Sequence, residues 1–216
     1  MSTYKDGKET PNLIRLSRIS DFSSKERDYA MRAVCFHGRR GIGGEALFLS
    51  AARIFAGAAN QAGFSAQVRT PGFPSPPGSP DRAVVKISRE QLSDLAIPAE
   101  YDIEIVCDPL LAVVPPMGDA LKPGGVLVLN TQSAIHGLDI RIAAVEVDTI
   151  ASKHATAPEA AHLGATLAAW DVIEGGISAQ NIIEAYREIT VEDMREAEKE
   201  ALGEASSMTK RALGAE

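Results

Sequence analysis

A three-layer α/β domain with a mostly parallel sheet is the architecture this sequence predicts, and three observations predict it. Short apolar runs read as strands at Arg32–Phe36, Arg82–Ser88, Tyr101–Asp108 and Val126–Asn130. Ala-rich stretches with apolar residues at helical spacing lie among them. The first strand and helix are joined by glycines and followed by a second strand, a βαβ opening of the kind that builds parallel sheets.

Taken in order, residues 1–28 are polar and broken by Pro11, and read as an N-terminal arm. The α/β domain is expected over 29–190. Within it, Gly38 to Gly44 form a glycine-rich loop, and Glu45 to Ala62 carry Leu47, Ala51, Ile54, Phe55 and Ala58 on one helical stripe. Gly63 is a helix stop. Phe64 to Arg69 alternate as a second strand. The segment PGFPSPPGSP (71–80) has five prolines, which fix φ and remove donors, so it is a stiff loop and not sheet interior. Leu121 to Gly125 read as a turn before the strand ending at Asn130, and Ile142 to Val147 read as a further short strand. Ala157 to Glu174, containing Trp170, and Ala179 to Ile189, with Ser178 as N-cap, read as helices. The remainder, 191–216, is a charged helical extension. Its sparse stripe of Met194, Ala197, Ala201, Ala205 and Met208 predicts weak docking in cis or in trans, and Gly203 and Gly214 predict a frayed far end.

Composition narrows the function classes. The 216 residues suit one ample domain, with 45% hydrophobic and 24% charged residues. Net charge is −7 with cations scattered among acids, which argues against a nucleic-acid partner. Cys35 and Cys107 both lie in apolar runs without a second thiol or histidine at ligand spacing, so they read as buried strand thiols. Two thiolates cannot hold a four-cysteine iron–sulfur cluster. No apolar run reaches bilayer length and the start lacks a signal-peptide core, so no membrane partner and a cytoplasmic location are expected.

The glycine loop admits two readings. Gly41-Ile-Gly-Gly-Glu-Ala46 fits G-x-G-x-x-A between strand and helix, where backbone N–H groups and the helix dipole favour a phosphate. Arg39 and Arg40 would add charge. The residues after the second strand, where a ribose-binding acid belongs, are Arg69 and Thr70, which suit a 2′-phosphate at best. A stand-alone NADP-binding Rossmann-type protein is therefore the alternative, and tight strand-to-helix packing explains the glycines with no ligand.

The second reading takes in residues 31 to 189. Phe36-His-Gly-Arg-Arg-Gly-Ile-Gly-Gly44 and the Ala-rich helix after it resemble the opening of the gamma domain of 2-oxoacid:ferredoxin oxidoreductases. Ala83-Val-Val-Lys-Ile-Ser88, Tyr101 to Pro109 (YDIEIVCDP), Leu121 to Thr131 (LKPGGVLVLNT), Val147-Asp-Thr-Ile-Ala151 and Ala161-His-Leu-Gly-Ala165 are similar to that family's later motifs, in the same order. Two departures stand out: Arg40 replaces a glycine of the signature, and the Pro-rich loop replaces an acidic, arginine-bearing stretch.

The resemblance implies a gamma-type subunit that is not catalytic alone. The family's chemistry is oxidative decarboxylation of a 2-oxoacid, with thiamine diphosphate, Mg2+ and [4Fe–4S] clusters on other domains, ferredoxin as electron acceptor and coenzyme A as a possible acyl acceptor. Partners would be alpha- and beta-type subunits. This chain would shape the active site and the assembly, and no catalytic or metal-ligating residue is assigned to it. Cofactor contacts are expected at Arg39, Arg40, Gly41, Gly43, Gly44, Asn130 and Thr131. His37 is the foremost polar candidate, against a reading in which a backbone group at the turn satisfies it. Asp108 either faces ligand or caps the turn before Pro109. His136, His154 and His162 lack metal-ligand spacing and read as surface or turn residues.

Overall fold

The computed structural model describes residues 31–41, 46–72, 76–112, 117–132 and 140–215. The proposed arm over 1–28 lies outside them. Six strands and five helices follow in the order β1 (Arg32–Arg39), α1 (Leu47–Gln61), β2 (Ser65–Arg69), β3 (Pro80–Ser88), β4 (Tyr101–Val106), β5 (Leu121–Asn130), β6 (Arg141–Val145), α2 (Val147–Lys153), α3 (Glu159–Ile173), α4 (Ala179–Thr190) and α5 (Glu196–Ala212).

The strands form one sheet ordered β2-β3-β1-β4-β5-β6. β1, β4, β5 and β6 pair in parallel. β3 is antiparallel to both of its neighbours. The reason lies in the connection: ten residues rich in proline link β2 to β3, too few for a crossover that returns the chain to a parallel start. The sheet is thus mostly parallel with one reversed strand, and the expected turn over Leu121–Gly125 is instead the first half of β5, with Leu121 opposite Tyr101.

Alternation along the strands divides the core. Val34, Phe36, Val85, Ile87, Ile103, Ile105, Val126 and Val128 face the helices. All five helices contribute to that single cluster, where Phe36, Phe55, Trp170 and Phe64 succeed one another at centroid distances of 6.2, 6.0 and 5.8 Å. Ala33, Cys35 and Val84 face the other way with Tyr101, as do Val106, Leu127 and Leu129. There the cover is formed by connecting segments that carry Ile97, Leu111 and Met117. Among the described residues, the third layer is coil.

α3 is buried continuously from Ala160 to Trp170, as a helix apolar all round must be. It crosses α5 so closely that a Cβ on Gly164 would lie 2.0 Å from the Leu202 carbonyl oxygen. The charged C-terminal helix therefore docks in cis and tightly, with Met194, Ala201, Leu202 and Ala205 all buried. The expected stripe missed Leu202, and Met208 stands 37% exposed. Gly203, one of the two glycines expected to weaken the helix, lies within α5. Gly214, at φ +65°, closes α5 with Gly214 N–H donating to Arg211 and Ala215 N–H to Lys210, the paired bonds of a Schellman stop. Ser178 caps α4 through a reciprocal pair with Asn181.

Candidate functional site

From β1 the chain leaves toward β2 and β3, and from β4 it leaves toward β5 and β6. The carboxyl ends of β1 and β4 are thus the point where the winding reverses, and open α/β sheets bind ligands there. A cavity of about 330 Å3 lies at this point, lined by Gly38 and Arg39 after β1, Leu47 and Phe48 of α1, Cys107 to Pro109 after β4, and Asp148 of α2.

Each wall has a local cause. A Cβ on Gly38 would come within 2.6 Å of the Phe48 ring, so only glycine lets α1 sit this close to the strand end. Cys107 N–H donates to the His37 carbonyl at 2.9 Å, which extends the β1–β4 ladder to the cavity floor. Asp108 turns the chain: one carboxylate oxygen accepts from Leu110 N–H at 2.8 Å, while the other pairs with Arg39 Nε at 2.9 Å across the mouth. Asn130, buried at the end of β5, donates to the Cys107 carbonyl at 3.0 Å and accepts from Asp148 N–H at 3.4 Å. It ties β4, β5 and α2 into one rim.

The predicted site residues separate into groups. Arg39, Asp108 and Asn130 are brought together around this cavity. Arg40 turns to the other side of β1, where its Nε lies 3.4 Å from Asp81 and its backbone bonds with Gly78 and Ser79. There Arg40, Gly41, Ala46, Phe48 and Thr70 line a second cavity of about 270 Å3. Both arginines are thus paired with acids of their own chain. Thr131 follows Asn130 at the rim, its N–H donating to the Leu129 carbonyl at 3.0 Å. Gly43, Gly44 and His136 lie outside the described residues.

No backbone group satisfies His37 at Nε2. The side chain is mostly covered on the coil-covered face, its Nε2 has no hydrogen-bond partner, and Glu104 Oε2 stands 3.6 Å away. Burial and the charge of Arg82 pull His37 down to about 4, so the pair is not an ion pair at neutral pH. Burial also pushes Glu104 up, although its carboxylate accepts from Gly118 N–H at 2.9 Å.

Of the two further described histidines, His154 sits in the turn after α2, as a turn residue, and His162 departs from the surface reading. His162 is buried in α3, with neither ring nitrogen hydrogen-bonded. Burial lowers it to about 4, opposed by the Cys107 carbonyl beside the ring. His154 is mostly covered and bridges Glu204 at 2.7 Å and Glu200 at 3.3 Å.

The sequence reading had Gly38 as the start of the glycine-rich loop, whereas it lies within β1, and it did not single out Phe48 or Asp148, although Asp148 lies within one of the motifs that carried the resemblance. Nothing local marked Phe48, whose role depends on α1 crossing the end of β1.

Cofactor chemistry is constrained by the donors present. Cys35 and Cys107 are free and buried, and burial pushes both thiols far up, the reverse of what a thiolate ligand requires. Among the described residues no group of three or more His, Cys, Asp or Glu is arranged to hold a metal ion. None of their helices is long and apolar enough to cross a membrane. A dinucleotide site is disfavoured by topology. In a Rossmann unit the second strand lies beside the first and presents its ribose-binding residue to the glycine loop, whereas here β3 intervenes and moves Arg69 and Thr70 a further strand away.

Comparison with known structures agrees with this topology. The chain is similar to the pyruvate oxidoreductase subunit PORC of Thermotoga maritima, at 24% identity and a TM-score of 0.64, over 82% of this chain and 96% of that one. It is also similar to the gamma subunit of the keto/oxoacid ferredoxin oxidoreductase of Geobacter sulfurreducens, at 21% identity and a TM-score of 0.60, over 86% and 98% of the two chains. The 2-oxoglutarate:ferredoxin oxidoreductase of Magnetococcus marinus, solved with 2-oxoglutarate, coenzyme A and succinyl-CoA bound, shares 18% identity and a TM-score of 0.57, with 86% of this chain matching 31% of that one. A comparison with curated proteins found no match. The family profile described as pyruvate ferredoxin/flavodoxin oxidoreductase matches residues 34–206, from β1 into α5, and with the shared fold it places this chain in that family.

Proposed function

We propose that this chain is the gamma-type subunit of a thiamine-diphosphate- and iron–sulfur-dependent 2-oxoacid:ferredoxin oxidoreductase, not catalytic alone, which shapes the active site and the assembly during oxidative decarboxylation of a 2-oxoacid. The observation that carries the reading is the family match from β1 into α5, on a fold that covers nearly the whole length of two solved subunits. In this reading thiamine diphosphate, Mg2+ and the [4Fe–4S] clusters sit on alpha- and beta-type partners, ferredoxin takes the electrons, and the complex works in the cytoplasm. The thiol chemistry of Cys35 and Cys107 agrees with clusters held elsewhere. Arg39, Arg40, Gly41, Gly43, Gly44, Asn130 and Thr131 are the residues proposed to contact shared cofactors, with coenzyme A as a candidate acyl acceptor.

Native purification from the source under anaerobic conditions tests this. Stoichiometric partner chains carrying thiamine diphosphate and iron, with viologen reduction dependent on a 2-oxoacid, are expected. An iron-free monomer or homodimer without partners would overturn the reading.

A further inference from the structure

The opposite, amino end of the sheet holds another concave site. Asp102, buried at the start of β4, accepts from Ala33 N–H at 2.8 Å, Lys122 Nζ at 2.7 Å and Arg32 Nη1 at 3.0 Å. Its two oxygens are fully engaged in locking β1 to β5. Around this lock, Arg32, Lys122, Gly124 and Arg141 wall a cavity of about 220 Å3. Arg141, exposed at the start of β6, donates one N–H to the Gly124 carbonyl and meets no carboxylate among the described residues. Behind Arg32, Glu174 is shared by Arg32 at 3.2 Å and Arg89 at 3.4 Å. Four cations therefore meet two carboxylates. Among the described residues, two positive charges are left unmatched beside a cavity, on a chain whose net charge is −7.

We propose that this cavity binds an oxyanion of the phosphate class, as a free dianion or as the phosphate group of an ester. The surplus matches the charge of about −1.5 to −2 that a phosphate group carries near neutral pH. Arg141 contributes a guanidinium fork, whose geometry suits tetrahedral oxyanions, and the lock around Asp102 holds Arg32 and Lys122 in place at no further entropic cost. The carboxyl end of α3 forms one wall and opposes an anion weakly. Glu174 is already neutralised by two arginines. The small, concave shape selects a compact ligand over an acidic protein surface. The site lies at the other end of the sheet from the Arg39–Asp108 cavity and does not depend on the subunit reading.

The experiment titrates the full chain with inorganic phosphate, and separately with a nucleoside monophosphate, against potassium chloride at matched ionic strength, followed by calorimetry and phosphorus NMR line width. Saturable binding with a Kd of about 1 mM is expected. R141A should weaken it on the order of tenfold, and R141K, which keeps charge without the fork, by less. Neither change touches the Asp102 lock, so the melting temperature without phosphate should hold. Tighter binding of inorganic phosphate would assign the free anion, and tighter binding of the monophosphate a phosphate ester. Absence of saturation, equal displacement by chloride, or unchanged affinity in R141A would overturn the proposal.

Discussion

The two faces of the sheet are built on different principles. Toward the helices the strands present apolar side chains, with Asn130 at the end of β5 as a polar exception, and α1, α3 and α5 press against them with alanines and glycines at their crossings. Toward the coil cover the same strands carry His37, Lys86 and Glu104 among apolar neighbours, all three largely removed from water. Helices supply their own backbone hydrogen bonds, so a helix layer asks the sheet only for shape. Irregular segments leave N–H and C=O groups unpaired, and a sheet covered by them must offer polar partners. Glu104 takes Gly118 N–H, and Lys86 takes the carbonyls of Asp94 and Ala96. One face is therefore limited by fit and the other by polar satisfaction.

The largest expected effect is on the face limited by fit. In G164A the new methyl would meet the Leu202 carbonyl carbon and oxygen, and backbone cannot step aside as a side-chain tip can. The α3–α5 crossing must open, at a cost of about 3 kcal/mol or more. G203A lies on the same α5 with nothing within 4 Å, and should stabilise by about 1 kcal/mol through helix propensity. Chemical denaturation of the two variants checks the contrast. Equal and small effects would mean that the crossing is looser than 2.0 Å implies.

Next comes proton linkage, where the two faces should behave differently. His162, on the helix face, protonates near 6.5 when exposed but only near about 4 when folded. Between those values the unfolded chain binds the extra proton, so stability is complete above 6.5 and is lost as pH falls toward 4. The loss is roughly 3 kcal/mol across the window. His37 acts in the same direction on the coil face, while the raised Glu104 acts oppositely, its contribution present at low pH and lost as pH rises through its folded value. On the coil face the two partly cancel; His162 has no such counterweight. H162M, which fills the space with a flexible apolar chain, should flatten the acid-side loss and raise stability at neutral pH by about 1 kcal/mol. A melting temperature that falls with pH as steeply as in the parent would show that the unpartnered imidazole is not its source.

This division also explains what could be read from the sequence. The helix face was legible: apolar runs with period 2 and period 3.6 gave five of the strands and three of the helices nearly in place, with Ser178 as a cap. Leu121 to Gly125 was misread because Lys-Pro-Gly-Gly has the composition of a turn, yet Gly124 adopts φ +79° inside an extended strand. α5 looked like a weakly docked extension because its stripe is thin. What buries it is the absence of a side chain at Gly164, which no local pattern displays. The short helix α2 was hidden inside a motif noted for its resemblance alone. At the site, Asp108 and Asn130 were found because they stand at strand carboxyl ends, where ligands of open α/β sheets gather, and Arg39 because it belongs to the glycine-rich loop. The divergence of Arg39 and Arg40 to opposite sides of β1 was not legible, because it is set by Asp108 on one flanking element and Asp81 on the other.

The last prediction tests the polar face directly. Lys86 has no solvent exposure, yet its ammonium donates to Asp94 Oδ2 at 3.0 Å and to the carbonyls of Asp94 and Ala96 at 2.8 and 3.1 Å. It pins the segment between β3 and β4 much as a helix would pin itself. K86M keeps the volume and removes the three bonds. The segment's carbonyls sit near the surface and regain water, so the cost is expected near 2 kcal/mol, below that of G164A. The change should also be local. Amide exchange should quicken around Leu92 to Ala96, whose contacts include the Gln67 bond to the Leu92 carbonyl, while the α3–α5 amides hold their protection. If K86M instead loosened the helix face as much as the coil face, the two layers would be one cooperative unit, and the separation drawn between fit and polar satisfaction would describe composition and not energetics.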